Sequence, residues 1–114
     1  MKKDQQKGIR VYFMFCQNNG YFIKIGLAAN PYKRRLDLQT GCPHPIYKIL
    51  SLDGNLPMQK ARKIETLFHK ILKNNQVSGE WFYFNDMEIL QDMFKNIVTP
   101  VVEAFDLNWH FHDV

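Results

Sequence analysis

Residues 10–27, RVYFMFCQNNGYFIKIGL, hold two apolar runs on either side of a turn signal. The first run is continuous over 10–17, which is typical of a strand that is covered on both faces. Asn18-Asn19-Gly20 favours a tight turn, because asparagine and glycine tolerate left-handed backbone conformations. The run over 21–27 then returns as a second strand. This stretch therefore predicts an antiparallel β-hairpin from which a sheet is built.

Helix and strand signals alternate along the rest of the chain. Asn30 and Pro31 suit the N-cap and first position of a helix that ends at Gly41. The further predicted elements are a strand over 46–52, a long helix over 57–74, a short strand over 80–84, a helix over 86–97 and a last helical turn or two over 100–105. This order predicts an α/β (α+β) fold with a small central antiparallel sheet flanked by helices.

Length and composition predict a single packed domain. The 114 residues leave room for one core, and a hydrophobic content of 46% is enough to form it. We expect a frayed lead over 1–9, a compact domain over 10–84 and a helical extension over 85–114 that packs on the same domain. The lead lacks a secretory pattern, and no apolar run nears the roughly 20 residues of a membrane span. Cys16 and Cys42 fit neither a disulfide framework nor a zinc site, so we expect a cytoplasmic protein with no membrane partner.

Charge is divided unevenly along the chain. Residues 1–75 hold 14 Lys and Arg against 4 Asp and Glu, whereas residues 76–114 hold 1 against 7. The balances are +10 and −6, which sum to the net charge of +4. A basic face attracts polyanions, of which nucleic acid is the commonest. The pattern favours DNA as the partner of residues 1–75, and an ordinary solvated surface is the alternative interpretation.

Five short motifs resemble the GIY-YIG endonuclease superfamily. In chain order they are Val11-Tyr12-Phe13, Lys24-Ile25-Gly26, Arg34-Arg35, Glu65 and Gly79-Glu80-Trp81-Phe82. The closer likeness is to a phage-type branch, often described as a DNA-binding domain and related to the meiotically up-regulated gene family. The resemblance covers residues 10–84 and implies the same architecture. It also implies that the protein acts inside a bacterial or phage-infected cell. It implies a metal-dependent phosphodiester hydrolase, or a DNA-binding descendant of one.

The resemblance also implies roles for individual residues. Tyr12 matches the motif tyrosine that orients or deprotonates the attacking water. Lys24 stands where the second motif usually has tyrosine, and there it would activate Tyr12 or hold a phosphate. Arg34 matches the arginine that clamps a phosphate, for which its planar fork is suited. Glu65 matches the glutamate that binds the metal, Mg²⁺ or Mn²⁺, and we expect all four side chains to converge on one surface.

Helix periodicity supports Glu65 independently of the resemblance. At about 100° per residue, Glu65 lies on the margin of the apolar stripe, beside Ala61 and Leu72. His69 follows one turn later on the same margin and would be auxiliary in catalysis. One carboxylate with waters and a phosphate suits Mg²⁺, whereas a solvated Glu–His pair is the alternative. Glu80 is either a second carboxylate near the site or a structural residue.

The predicted function is hydrolysis of DNA phosphodiester bonds by direct water attack. Two alternatives stay open. One is a non-catalytic module of the same fold that binds DNA without cutting it. The other is a phage interaction protein that uses residues 86–114 to bind a protein partner or a second copy of itself. His110-Phe111-His112 is a weak match to a metal-binding pair, and we predict a flexible terminus there.

The register of the hairpin decides whether Tyr12 and Lys24 lie on the same face of the sheet. A two-residue turn would pair Asn18 with Tyr21 and would put the two side chains on opposite faces. A three-residue turn would pair Gln17 with Tyr21 and would make Lys24 a diagonal neighbour of Tyr12. The catalytic hypothesis therefore requires the three-residue turn, or a bulge with the same effect.

Overall fold

The hairpin lies at the centre of a six-stranded antiparallel sheet in the computed structural model, which describes residues 9–40, 44–53 and 56–113. The strands are β1 (Arg10–Gln17), β2 (Tyr21–Ala28), β3 (Ile46–Asp53), β4 (Gln76–Ser78), β5 (Trp81–Phe84) and β6 (Asn108–Asp113). Their order across the sheet is β4-β5-β2-β1-β3-β6. The predicted α+β class with an antiparallel sheet is confirmed. Residues 1–8 of the predicted lead, Gly41 and Cys42 lie outside the described residues.

Helical segments pack on the sheet. They are α1 (Pro31–Gln39), α2 (Met58–Ile71), a 3₁₀ turn (Lys73–Asn75), α3 (Met87–Met93), a π-helical segment (Phe94–Val98) and α4 (Thr99–Ala104). The last three are continuous, so the two predicted C-terminal helices form one stretch. The wide π turn ends two positions before Pro100, whose ring lacks the amide donor and crowds the preceding turn. Within the described ranges, no helix is long and apolar enough to cross a membrane.

Two side chains cap helices as their positions in the sequence predict. The Asn30 side chain accepts a hydrogen bond from the Lys33 amide at 3.1 Å, at the start of α1. The Asp86 side chain accepts one from the Ile89 amide at 2.9 Å, at the start of α3. Each bond satisfies an amide that has no partner inside the helix, and such a cap contributes about 1 kcal/mol.

The hairpin has the three-residue turn that the catalytic hypothesis requires. Gln17 pairs with Tyr21, and Lys24 pairs with Met14 further along the ladder. The last two residues of the turn have positive φ angles of 54° and 134°, the backbone conformation for which asparagine and glycine are suited. Directly paired residues share a face, so Lys24 lies diagonally beside Tyr12 on the same face.

The sheet carries an apolar core on each face, because side chains alternate along β1. Phe13 lies in the larger core, under α2 and the C-terminal helices, and we call this side the α2 face. Tyr12 and Met14 lie in a smaller core with Ile49, against which Leu38 of α1 packs, and we call this side the α1 face. The prediction that the first strand is covered on both faces is therefore confirmed.

The end of the chain differs from the prediction. β6 pairs with β3, so the flexible terminus predicted at His110-Phe111-His112 is wrong. The extension predicted as helical over 85–114 is helical only as far as α4. Trp109 packs against Phe94 with ring centroids 6.3 Å apart. The six residues of β6 are too few to give a clear strand pattern in the sequence, and this contact and the ladder to β3 hold the strand in place.

Candidate active site

The candidate site lies where the ladder between β2 and β5 ends. The paired residues of β2 run from Tyr21 to Lys24. Beyond them the Ile25 amide donates to the Glu80 carbonyl at 3.0 Å. The Ile25 carbonyl lies 2.9 Å from Nε2 of His69, which must carry the hydrogen because a carbonyl can only accept. A side chain of α2 therefore takes the place of a neighbouring strand at this point.

Tyr12 is buried beside charged groups. Its side chain, on the α1 face, is 1% exposed. Burial raises the pKa of the Tyr12 phenol, and the nearby Glu80 and Glu65 carboxylates raise it further. The Arg34 guanidinium donates a hydrogen bond to the phenol and acts against this rise without cancelling it. The phenol therefore keeps its proton at neutral pH, with Arg34 fixing its position.

Gly26 leaves the space in which the phenol and a carboxylate meet. A Cβ atom at this position would lie 2.6 Å from Oη of Tyr12 and 3.0 Å from Oε1 of Glu80. Since non-bonded carbon and oxygen atoms normally stay more than 3 Å apart, a side chain would displace the phenol. The glycine of the Lys24-Ile25-Gly26 motif is thus a packing requirement of the site.

Lys24 forms an ion pair with Glu80. Its Nζ lies 3.0 Å from Oε1 of Glu80, and the two side chains are 11% and 41% exposed. The same Nζ lies 5.7 Å from the ring centroid of Trp81, its partner across the ladder. The anion beside this buried lysine is therefore the Glu80 carboxylate. Arg34 donates a hydrogen bond to the Tyr12 phenol, whereas the expected activation of Tyr12 by Lys24 stays a prediction.

Glu65 and His69 reach the same place from α2. Burial raises the pKa of Glu65, and the charge of Glu80 and a hydrogen bond with it raise that pKa further, whereas His69 and Arg62 lower it. Nε2 of His69 lies 3.9 Å from Oε2 of Glu65. One ligand atom from each of Glu65, His69 and Glu80 lies within 4.8 Å of the others.

This donor set fits a hard divalent cation. Two facing carboxylates repel each other unless a proton or a cation lies between them, and carboxylate oxygens are the ligands that Mg²⁺ and Mn²⁺ prefer. The Nε2 hydrogen of His69 is directed at the Ile25 carbonyl. The two carboxylates are therefore the better ligands, and His69 lies beside Glu65 at 3.9 Å, beyond hydrogen-bond distance.

The structure brings together all five residues singled out from the sequence. They are Tyr12, Lys24, Arg34, Glu65 and His69. Four of them lie beside the carboxylate of Glu80, and Arg34 joins them through its contact with the Tyr12 phenol. The sequence alone allows two roles for Glu80, because the position of this residue depends on β4, a strand of three exposed residues. Gly79, with φ of +54°, lies in the turn from β4 to β5 and was the available signal.

A comparison with known families gives one match. The model of the T5orf172 domain matches residues 9–98. The matched span contains every residue of the candidate site and ends with the π-helical segment, before α4 and β6. Neither a curated protein nor a solved structure matches the chain. Since the match covers most of the 114 residues, the chain belongs to the T5orf172 domain family.

Proposed function

We propose that the protein is a GIY-YIG-type endonuclease that hydrolyses DNA phosphodiester bonds by direct water attack with a divalent cation. One observation carries the proposal. Tyr12 of β1, Arg34 of α1 and Glu65 of α2 come from three separate elements and meet at the end of the β2–β5 ladder. Structural ion pairs alone do not need a buried phenol, a glycine that makes room for it and two facing carboxylates.

Arg34 and Tyr12 would act on the phosphate and the water. Arg34 is exposed on α1, so its guanidinium is accessible to a phosphate while it also holds the phenol. A planar guanidinium forms two parallel hydrogen bonds with a phosphate and stabilises the charge that builds up in the transition state. The protonated Tyr12 phenol would orient the attacking water by hydrogen bonding, rather than act as its base.

Glu65 would hold the cation, and His69 would be an auxiliary residue beside it. His69 is fixed by the Ile25 carbonyl and by an edge-to-face contact with Phe82, whose ring centroid lies 5.1 Å away. When bound, Mg²⁺ or Mn²⁺ supplies Lewis-acid stabilisation of the phosphoryl and leaving oxygens. His69 would thus fix the end of β2 to α2 rather than touch the substrate.

The surface beside the site suits a nucleic-acid backbone. Arg62 is close enough to lower the pKa of Glu65. Together with Gln59, Lys63 and Thr66 it lines a depression on the outer side of α2. Such basic and polar side chains contact phosphates and release counterions, which would extend DNA binding from the site along α2.

Incubation of the purified protein with supercoiled plasmid and Mg²⁺ or Mn²⁺ tests the proposal. We expect nicked and linear products from the wild type, and none from Glu65→Gln or from a sample with EDTA. Glu103→Gln, an exposed site on α4, is the matched control and should cleave like the wild type. DNA binding without cleavage would establish the non-catalytic DNA-binding module instead. Absence of DNA binding at low salt would favour the interaction protein.

A further inference from the structure

The ammonium of Lys24 is held by a group that the cation would also need. Lys24 is 8% exposed, and a buried ammonium is costly unless an anion accompanies it. Its anion is Oε1 of Glu80, at 3.0 Å. A phosphate oxygen would satisfy the same ammonium equally well, since it carries the same charge and accepts the same hydrogen bonds.

Glu80 is the more movable of the two partners. Its side chain is 41% exposed, whereas that of Lys24 is 11% exposed. It lies in the turn before β5, and it contacts Glu65 as well as Lys24. The Glu80 carboxylate therefore contacts both Lys24, on the α1 face, and the Glu65 carboxylate, which approaches from α2.

We propose that Glu80 is a second ligand of the catalytic cation and that its transfer from Lys24 to the cation frees Lys24 for a DNA phosphate. This inference rests on the proposed function for the identity of the phosphate. Without the cation, Glu80 neutralises Lys24 and so weakens DNA binding at the site. With the cation, Glu65 and Glu80 neutralise the metal charge, and Lys24 adds one positive charge to the phosphate site.

Cation binding and DNA binding are consequently coupled. Each ligand tightens the other by the same factor, because coupling free energy is reciprocal. The coupling passes through a named pair of side chains, so it is open to a double-mutant cycle. Glu80→Gln should imitate the effect of the cation on Lys24, and Lys24→Met should remove the group on which it acts.

The first experiment measures Mn²⁺ binding by calorimetry in the absence of DNA. Glu80→Gln and Glu65→Gln should each weaken Mn²⁺ binding by about tenfold or more, since each removes one charged ligand. Glu103→Gln should bind Mn²⁺ like the wild type. Unchanged Mn²⁺ affinity in Glu80→Gln would overturn the inference.

The second experiment measures binding of a short DNA duplex in EDTA. Glu80→Gln should bind about fivefold more tightly than the wild type, the low end of typical coupling factors. In the Lys24→Met background, which keeps a stem of similar length, the same change should produce a clearly smaller gain. An equal gain in both backgrounds would mean that Glu80 only repels DNA, and it would overturn the inference. Thermal unfolding of each variant verifies that it is folded.

The results separate this inference from the proposed function. Plasmid cleavage by the wild type, combined with unchanged Mn²⁺ affinity in Glu80→Gln, would reject the inference and keep the nuclease. The opposite outcome has three parts: Glu80→Gln weakens Mn²⁺ binding, its gain in DNA affinity in EDTA is smaller in the Lys24→Met background, and plasmid is not cleaved under any condition. This outcome would reject the nuclease. The coupled site would then belong to a cation-dependent DNA-binding module.

Discussion

The two flanks of the sheet differ in how far their ladders run. On one flank β5 pairs with four residues of β2 and stops at Lys24. On the other flank β6 pairs with six residues of β3, from Lys48 to Asp53. Charged groups meet at the interrupted ladder, whereas aromatic rings meet at the complete one, where Trp109 stacks on Phe111 with ring centroids 6.3 Å apart.

Backbone hydrogen bonding explains this difference. Backbone groups away from water need partners, and a ladder that stops leaves some of them to side chains. Ile25 shows this directly, because its carbonyl is bonded by His69. Along β3 the ladder runs unbroken from Lys48 to Asp53, so this part of the flank needs only apolar packing, and the Ile46 amide before it donates to the Gln39 side chain at 2.8 Å. The β2–β5 flank is therefore suited to chemistry, and the β3–β6 flank is suited to stability.

The largest expected effect would be the loss of activity in Arg34→Ala. If the interrupted flank carries catalysis, removing the guanidinium should lower the rate of plasmid nicking by about 10²–10³-fold, as when one transition-state donor is deleted. Because Arg34 also donates a hydrogen bond to the buried Tyr12 phenol, the free energy of unfolding should fall as well, by about 1 kcal/mol. Arg35→Ala, which removes the same charge one position later, is the control for net charge. An equal loss of activity in both variants would contradict the assigned role.

Trp109→Ala should have the opposite profile. Removing this half-buried ring from the complete flank should lower the free energy of unfolding by about 2–3 kcal/mol, below the range for fully buried aromatics. Mn²⁺ affinity at 25 °C should stay unchanged, because the site lies on the other flank. Urea denaturation and calorimetry measure the two quantities. Phe111→Ala, at a side chain that is 58% exposed, should cost under about 1 kcal/mol.

Gly26→Ala tests how closely the interrupted flank is packed. Alanine in a strand usually stabilises a protein relative to glycine, by about 0.5–1 kcal/mol. Here the added methyl group would collide with the Tyr12 phenol, and we expect a loss of about 1–3 kcal/mol from overpacking. Urea denaturation gives the sign. A gain in stability would show that the phenol has room to move away.

The smallest effect concerns pH. The pKa of Glu65 is raised above its ordinary value of 4.5 in the folded protein, chiefly by burial and then by Glu80. Above pH 4.5 the Glu65 carboxyl has lost its proton in the unfolded chain but still holds it in the folded protein. The free energy of unfolding therefore falls as pH rises from 4.5 to the raised pKa. In Glu65→Gln the free energy of unfolding should fall less steeply with rising pH, as measured by urea denaturation from pH 4 to pH 8. An identical slope in both proteins would contradict the shift.

Local sequence determined the parts of this protein that depend on near neighbours. The turn signal Asn18-Asn19-Gly20 determined the hairpin, for which the sequence allowed two turn lengths, and the three-residue turn places Tyr12 and Lys24 on one face. Helix periodicity placed Glu65 and His69 on one margin of α2. In each case the deciding contacts lie within a few positions along the chain, where turn geometry and helical repeat suffice.

Tertiary structure decided what depends on distant contacts. Glu80 became the centre of the site because a three-residue strand and a glycine turn brought it to the end of β2, 56 positions from its partner Lys24. β6 formed because the edge of β3 and the ring of Phe94 were available to it. Neither result is encoded in a local pattern, since each requires surfaces that exist only after the rest of the sheet has folded.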